Sequence, residues 1–158
     1  MKLFTTRFGE VTYPDDALLT FPSGLQSLPS LRRFALLKTT DLGLFRWLQS
    51  AEVPALACLV CNPRLVLHDY AVRVPSADLA DIHVTTPDDC DLLVLLTQPL
   101  DPARMTADLQ RPIVCNRLLR LARQIVLPDA AYSRAHLVFS EDQSSSAFPP
   151  DHPLELTA

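Results

Sequence analysis

The residues with the most chemistry to offer in this chain are four cysteines and four histidines, and their spacing argues against most of it. Cys58 and Cys61 form a C-x-x-C pair, the spacing of a zinc knuckle or a redox dithiol. They lie inside an apolar run, Ala55 to Cys61, that reads as a buried strand. Residues three apart on a strand point to opposite faces, so the two sulfurs diverge. No second C-x-x-C follows; Cys90 and Cys115 stand alone, and all four cysteines read as small packing residues. His68, His83, His136 and His152 share no metal-ligand spacing on one element. Cys115-Asn116 with His136 could compose a thiol site, but a thiol in an apolar strand has its pKa raised and its reactivity lowered. Ser50, Ser76 and Ser133 lack the glycine context of a nucleophile elbow. Asp15-Asp16 and Asp88-Asp89 are turn neighbours whose side chains point apart. Three glycines are too few for a phosphate-cradling loop. Arg117, Arg120 and Arg123 surround a hairpin tip with no interleaved aromatic residue, so a stacking platform for single-stranded nucleic acid is missing. No catalytic residue, metal ligand or cofactor site emerges. What remains is surface that another protein could grasp.

The totals are those of one globular domain: 158 residues, 48% apolar, with 14 prolines that punctuate many short elements. The net charge of −4 lacks the basic footprint of a free-standing nucleic-acid binder. It is unevenly spread. Between Asp69 and Asp91 six aspartates face only Arg73, a net −5; between Asp101 and His136 six arginines face three aspartates, a net +3. These runs read either as two solvated surfaces or as an acidic patch that docks a basic protein. The N-terminus has no apolar signal core, and no run approaches a membrane span, so a cytoplasmic protein, with no membrane contact, is expected.

The elements that must carry this surface are mostly strands. Turn signals every eight to ten residues bound short strands at 2–8, 11–13, 17–21, 34–38 and 45–49, the last holding Trp47, which is expected in the core. Ala55 to Cys61 and Asp91 to Gln98 are apolar throughout, as in strands covered on both faces. Leu65–Leu67 and Ala71–Val74 read as strands. Ser76 as N-cap opens a helix over Ala77–Ile82. From Met105 the pattern has strict period two: Met105, Ala107 and Leu109 inward; Thr106, Asp108 and Gln110 outward. It is interrupted at Arg111-Pro112 and resumes through Ile113-Val114-Cys115. That reads as one long bulged strand, bent so that a sheet can curl towards closure. Leu121–Leu127 returns beside it, and 132–139 is a last short element. Residues 140–158, rich in serine, proline and acid, read as a disordered tail. The expected fold is mainly β: a single-domain antiparallel β-barrel or roll over 1–139, with one or two short helices.

Several motifs occur in one order: Phe8-Gly9-Glu10, Phe21-Pro22-Ser23-Gly24-Leu25, Trp47-Leu48-Gln49-Ser50, Asn62-Pro63, Met105-Thr106-Ala107-Asp108-Leu109, Pro112-Ile113-Val114-Cys115-Asn116 and Arg134-Ala135-His136. In this ordered set the chain resembles the FliW family of flagellar assembly factors over residues 3–137. It departs from the family where Asp108 stands for the usual Asn, and where Ala122 lies near a usual glycine, so the hairpin turn there must be built differently.

The resemblance implies a non-catalytic β-barrel-like protein. It would bind CsrA, the dimeric RNA-binding translational regulator, and relieve its repression of flagellin synthesis, with flagellin as the competing partner. Candidate partner-binding residues are Met105, Thr106, Asp108, Gln110, Asn116 and Arg117, on a protein expected to be a monomer. The alternative is a small-ligand-binding β-barrel or minor hydrolase, which would show an apolar pocket with converging polar groups.

Overall fold

The computed structural model describes residues 1–38, 43–128, 132–139 and 151–157. In chain order its strands are β1 (Lys2–Thr5), β2 (Gly9–Thr12), β3 (Leu18–Thr20), β4 (Arg33–Lys38), β5 (Phe45–Ser50) and β6 (Ala57–Cys61). A single helical turn, α1 (Pro63–Val66), precedes β7 (Val72–Pro75) and β8 (Cys90–Leu96). Then come β9 (Thr106–Ala107), β10 (Ile113–Asn116), β11 (Leu121–Gln124), β12 (His136–Leu137) and β13 (Leu154–Thr157). β1 and β2 form a separate hairpin.

The main sheet runs β10-β11-β3-β4-β5-β6-β8, and β8 pairs back onto β10, closing a seven-strand barrel. The expected mainly-β barrel is therefore the fold. All its pairings are antiparallel except β11 with β3, where Leu121 meets Thr20. Closure explains the two continuous apolar runs, because alternate residues of each strand serve two different cores. On β8, Leu93 faces a core shared with Leu19, Phe21, Phe34, Leu48, Val60 and Ile113, the barrel interior. Leu92, Val94 and Leu96 face outward into a second core built with Tyr70, Val72, Val74, Leu79 and Ile82. The chain between α1 and β8 thus folds over the outside of the barrel and buries that face too.

Several local expectations give way to tertiary or capping effects. Leu65–Leu67 is not a strand: the Asn62 carboxamide oxygen accepts from the Arg64 N–H at 2.9 Å and Pro63 occupies the first helical position, which starts α1 instead. The helix over 77–82 is a 3-10 segment, Ser76–Ile82, whose cap position is Pro75; the Ser76 hydroxyl donates to the Thr157 carbonyl rather than capping. Trp47 is half-buried, with Phe8 edge-on at 5.6 Å and the Arg7 guanidinium 4.5 Å from its ring centroid.

The reading of 105–116 as one bulged strand is corrected. From Ala107 to Ile113 the chain advances six residues while its partner β8 advances only three, from Leu96 to Leu93. The excess is a turn rather than a single-residue bulge. Asp108 organises it, its carboxylate accepting from the Arg111 backbone N–H at 3.2 Å and from Arg111 Nε at 2.6 Å. Asp108 is therefore buried, not on the outer face.

The tail is also corrected where it is described. β13 lies parallel to β7, Leu154 opposite Val72 and Leu156 opposite Val74, and Leu154 is 2% exposed in the outer core. An alternating Leu-Glu-Leu-Thr is enough to add a strand when an unpaired edge is waiting. Residues 140–150 lie outside the described residues.

Gly24 gives the Phe21–Leu25 motif its physical reason. Its φ is +67°, and a Cβ there would stand 2.3 Å from the Pro29 carbonyl oxygen, so only glycine fits.

Candidate functional site

β8 is the spine of the candidate surface, because β9 and β10 both pair with it. Thr106 lies at its Leu96 end, where its hydroxyl is 2.9 Å from that of Thr97. Arg117 lies at the Cys90 end, its Nε 3.4 Å from Asp91 and its Nη2 donating to the Asp88 carbonyl at 2.8 Å. A seven-residue strand spans roughly 20 Å, so the six candidate residues do not form one patch.

Met105, Thr106 and Gln110 do gather. Each is half-buried, and they border β12, the outermost strand of the sheet. Val138 N–H donates to the Met105 carbonyl at 2.9 Å, and the Gln110 side-chain oxygen accepts from Arg134 Nε at 2.7 Å. Beside them Leu137 and Phe139 are exposed at 47% and 59%. Sequence reasoning missed these two. They lie in the last short element, and no local signal tells an outward apolar residue on an edge strand from an inward one.

Asp108 and Asn116 are supports beneath the surface. Asn116 is 3% exposed and its side chain makes four hydrogen bonds. Its Nδ2 donates to the carbonyls of Ile82 (2.8 Å) and His83 (3.3 Å), and its Oδ1 accepts from the N–H groups of Leu118 and Leu119, both at 3.1 Å. It ties the β10–β11 hairpin tip to the segment crossing the barrel's outside. That hairpin turns through Arg120 at φ +57°, so the left-handed position falls there, and Ala122 sits in strand β11, fully buried.

The imagined thiol site does not assemble. Cys115 belongs to the barrel interior, where burial pushes its thiol up to about 12, while His136 is on β12 beyond the far end of β8. Burial likewise raises Cys61 to about 12, and Cys90 to about 11 with Asp89 and Asp91 adding to the effect. Cys58 and Cys61 face different cores, as their spacing requires. Among the described residues no three of His, Cys, Asp and Glu group as metal ligands, and no helix is long and apolar enough to cross a membrane.

The oppositely charged runs meet each other. Arg117 pairs with Asp91, and Arg123 Nη1 lies 3.0 Å from Asp81. Part of the acidic stretch is thereby neutralised within the molecule, while Asp78 and Asp88 stay exposed.

A family model described as FliW protein matches residues 2–138. The flagellar assembly factor FliW of Geobacter sulfurreducens is 36% identical over 147 residues, covering 93% of this chain and 92% of that protein. The one from Bdellovibrio bacteriovorus is 36% identical over 143 residues, covering 90% and 82%. A crystal structure of the flagellar assembly factor FliW superposes with a TM-score of 0.81 at 28% identity, covering 90% of this chain and 99% of that one.

Proposed function

Because the chain belongs to the FliW family of flagellar assembly factors, we propose that it is a non-catalytic, cytoplasmic partner switch that binds the translational regulator CsrA and is captured in competition by flagellin. The observation that carries this reading is the family match over residues 2–138, which contains the whole barrel. Bound to CsrA, the protein relieves repression of flagellin synthesis; free flagellin withdraws it, and export of flagellin releases it again. The scattered His and Cys side chains and the raised thiols favour binding over turnover. An acidic protein seated beside a basic RNA surface also raises the cost of approach for RNA phosphates, more at low salt than at high.

For the docking surface we favour the β9–β12 edge: Met105, Thr106 and Gln110 with Leu137 and Phe139. An outermost strand offers backbone groups for strand addition, and exposed apolar side chains beside it offer the desolvated anchors that carry affinity. Asp108 holds the turn behind that surface in shape, and Asn116 and Arg117 stand at the other end of β8.

The test is titration calorimetry of the purified chain with purified CsrA, with and without flagellin. Stoichiometric CsrA binding abolished by flagellin is expected. A ternary complex holding both partners would refute competition. Leu137→Glu should weaken partner binding about tenfold or more, as loss of an interface anchor does, at unchanged melting temperature. Wild-type affinity in that variant would move the surface elsewhere.

A further inference from the structure

One end of the barrel opens into a cavity of about 540 Å³, within the range of small-molecule sites. Its depth is apolar, formed by Leu19, Leu36 and Leu93 with Cys115 beside them. Among the described residues its charged lining is Arg46, Arg64, Arg120 and Asp91. Arg120 reaches it from the β10–β11 turn, and strand alternation puts two others there: residue 46 shares a face with Leu48 and 91 with Leu93, both residues of the barrel interior. They are the last inward-pointing positions before the barrel ends.

Three guanidinium groups against one carboxylate leave a positive mouth, and that carboxylate is already shared with Arg117. Arg64 is held rigidly, its Nε donating to the Tyr70 carbonyl at 2.9 Å and its Nη1 to the Asp151 carbonyl at 3.2 Å. Its Nη2, however, is buried without a hydrogen-bond partner, and so is Arg120 Nε. Both atoms are closed off within the protein, so each guanidinium meets the cavity through its remaining edge. Arg120 also sits at φ +57°, a conformation glycine or asparagine would adopt with less strain. Backbone strain retained at a residue whose side chain lines a cavity suggests that the side chain is needed there.

We propose that this open end of the barrel binds a small amphipathic carboxylate. Its head group is held by Arg64 and Arg120, and its short hydrocarbon body lies on Leu19, Leu36 and Leu93. A planar guanidinium matches a carboxylate through paired N–H donors, while the apolar depth rejects a bare inorganic anion. The site is separate from the β9–β12 edge and independent of the partner reading.

Octanoate is the probe, titrated by calorimetry against the full chain, with octanol and acetate as controls that lack the charge and the hydrocarbon body respectively. Octanoate is expected to bind with one-to-one stoichiometry, and each control about tenfold more weakly or not at all. Arg120→Gly removes the guanidinium while easing the backbone, so it should weaken octanoate about tenfold and leave the melting temperature equal or higher. Arg64→Lys, which keeps the charge but not the planar fork, should also weaken it. Octanol matching octanoate, unchanged affinity in Arg120→Gly, or no octanoate binding at millimolar concentration would each overturn the proposal.

Discussion

Replacing Asn116 with alanine removes four hydrogen bonds at once, and the structure indicates how much each should matter. The two inward bonds go to the Ile82 and His83 carbonyls, where the segment crossing the barrel ends and His83 turns at φ +57°. Loss of these leaves partly desolvated acceptors without a donor, about 1 kcal/mol apiece. The two bonds from Leu118 and Leu119 N–H lie at an exposed tip, where water substitutes at a cost of a few tenths. With a small cavity added, the total is about 2–3 kcal/mol. For a domain of this size that lowers the melting temperature by about 5–12 °C, readable by circular dichroism and by urea unfolding. Asn116→Asp sharpens the test. It keeps the acceptor but turns a carboxylate towards two carbonyls, so at pH 7 it should cost at least as much as alanine. In that site the carboxyl's folded pKa is raised above its unfolded value, so the variant's deficit should shrink as pH falls and the protonated carboxyl can donate. Wild-type melting in Asn116→Ala, with partner binding lost, would refute the turn-anchor reasoning and return Asn116 to the docking surface.

Two further outcomes are expected. Ending the chain after Phe139 removes β13 and with it Leu154, which is 2% exposed in the outer core; calorimetric unfolding should show a loss of about 2 kcal/mol or more, and an unchanged transition would mean that β13 is not integral to the fold. Glu52 accepts from the backbone N–H groups of Arg32 and Arg33 at 3.0 and 2.9 Å, which holds its carboxyl below the usual 4.5. A lowered folded pKa contributes stability that is present above the unfolded value and lost as pH falls through the folded one, so the gap between wild type and Glu52→Gln should be open at pH 7 and narrow steadily as urea titrations are taken below the usual carboxylate range.

Particular residues show where local reading reaches its limit. The strands β6 and β8 were legible because an unbroken apolar run has few other uses, and the two-sided burial of Leu92 to Leu96 bears that out. Gly24 stood in a recognisable motif, and its positive φ supplies the cause. Asp108 was misplaced because period two places it outward, whereas the turn to Pro112 folds its carboxylate back onto Arg111. Leu154–Thr157 was misread because composition cannot show that β7 has an edge to offer. In the candidate surface, Thr106 and Gln110 could be guessed from alternation, but Leu137 and Phe139 could not.

The order of apolar and polar residues by itself determined that this protein is built of short strands with two buried faces, since alternation is a property of neighbours along the chain. Closure of β8 onto β10, the meeting of Arg117 with Asp91 and Arg123 with Asp81, and the arginines at the mouth of the barrel were decided only in three dimensions. Those contacts join residues far apart in sequence, and they are selected by the summed free energy of the whole packing rather than by any local pattern.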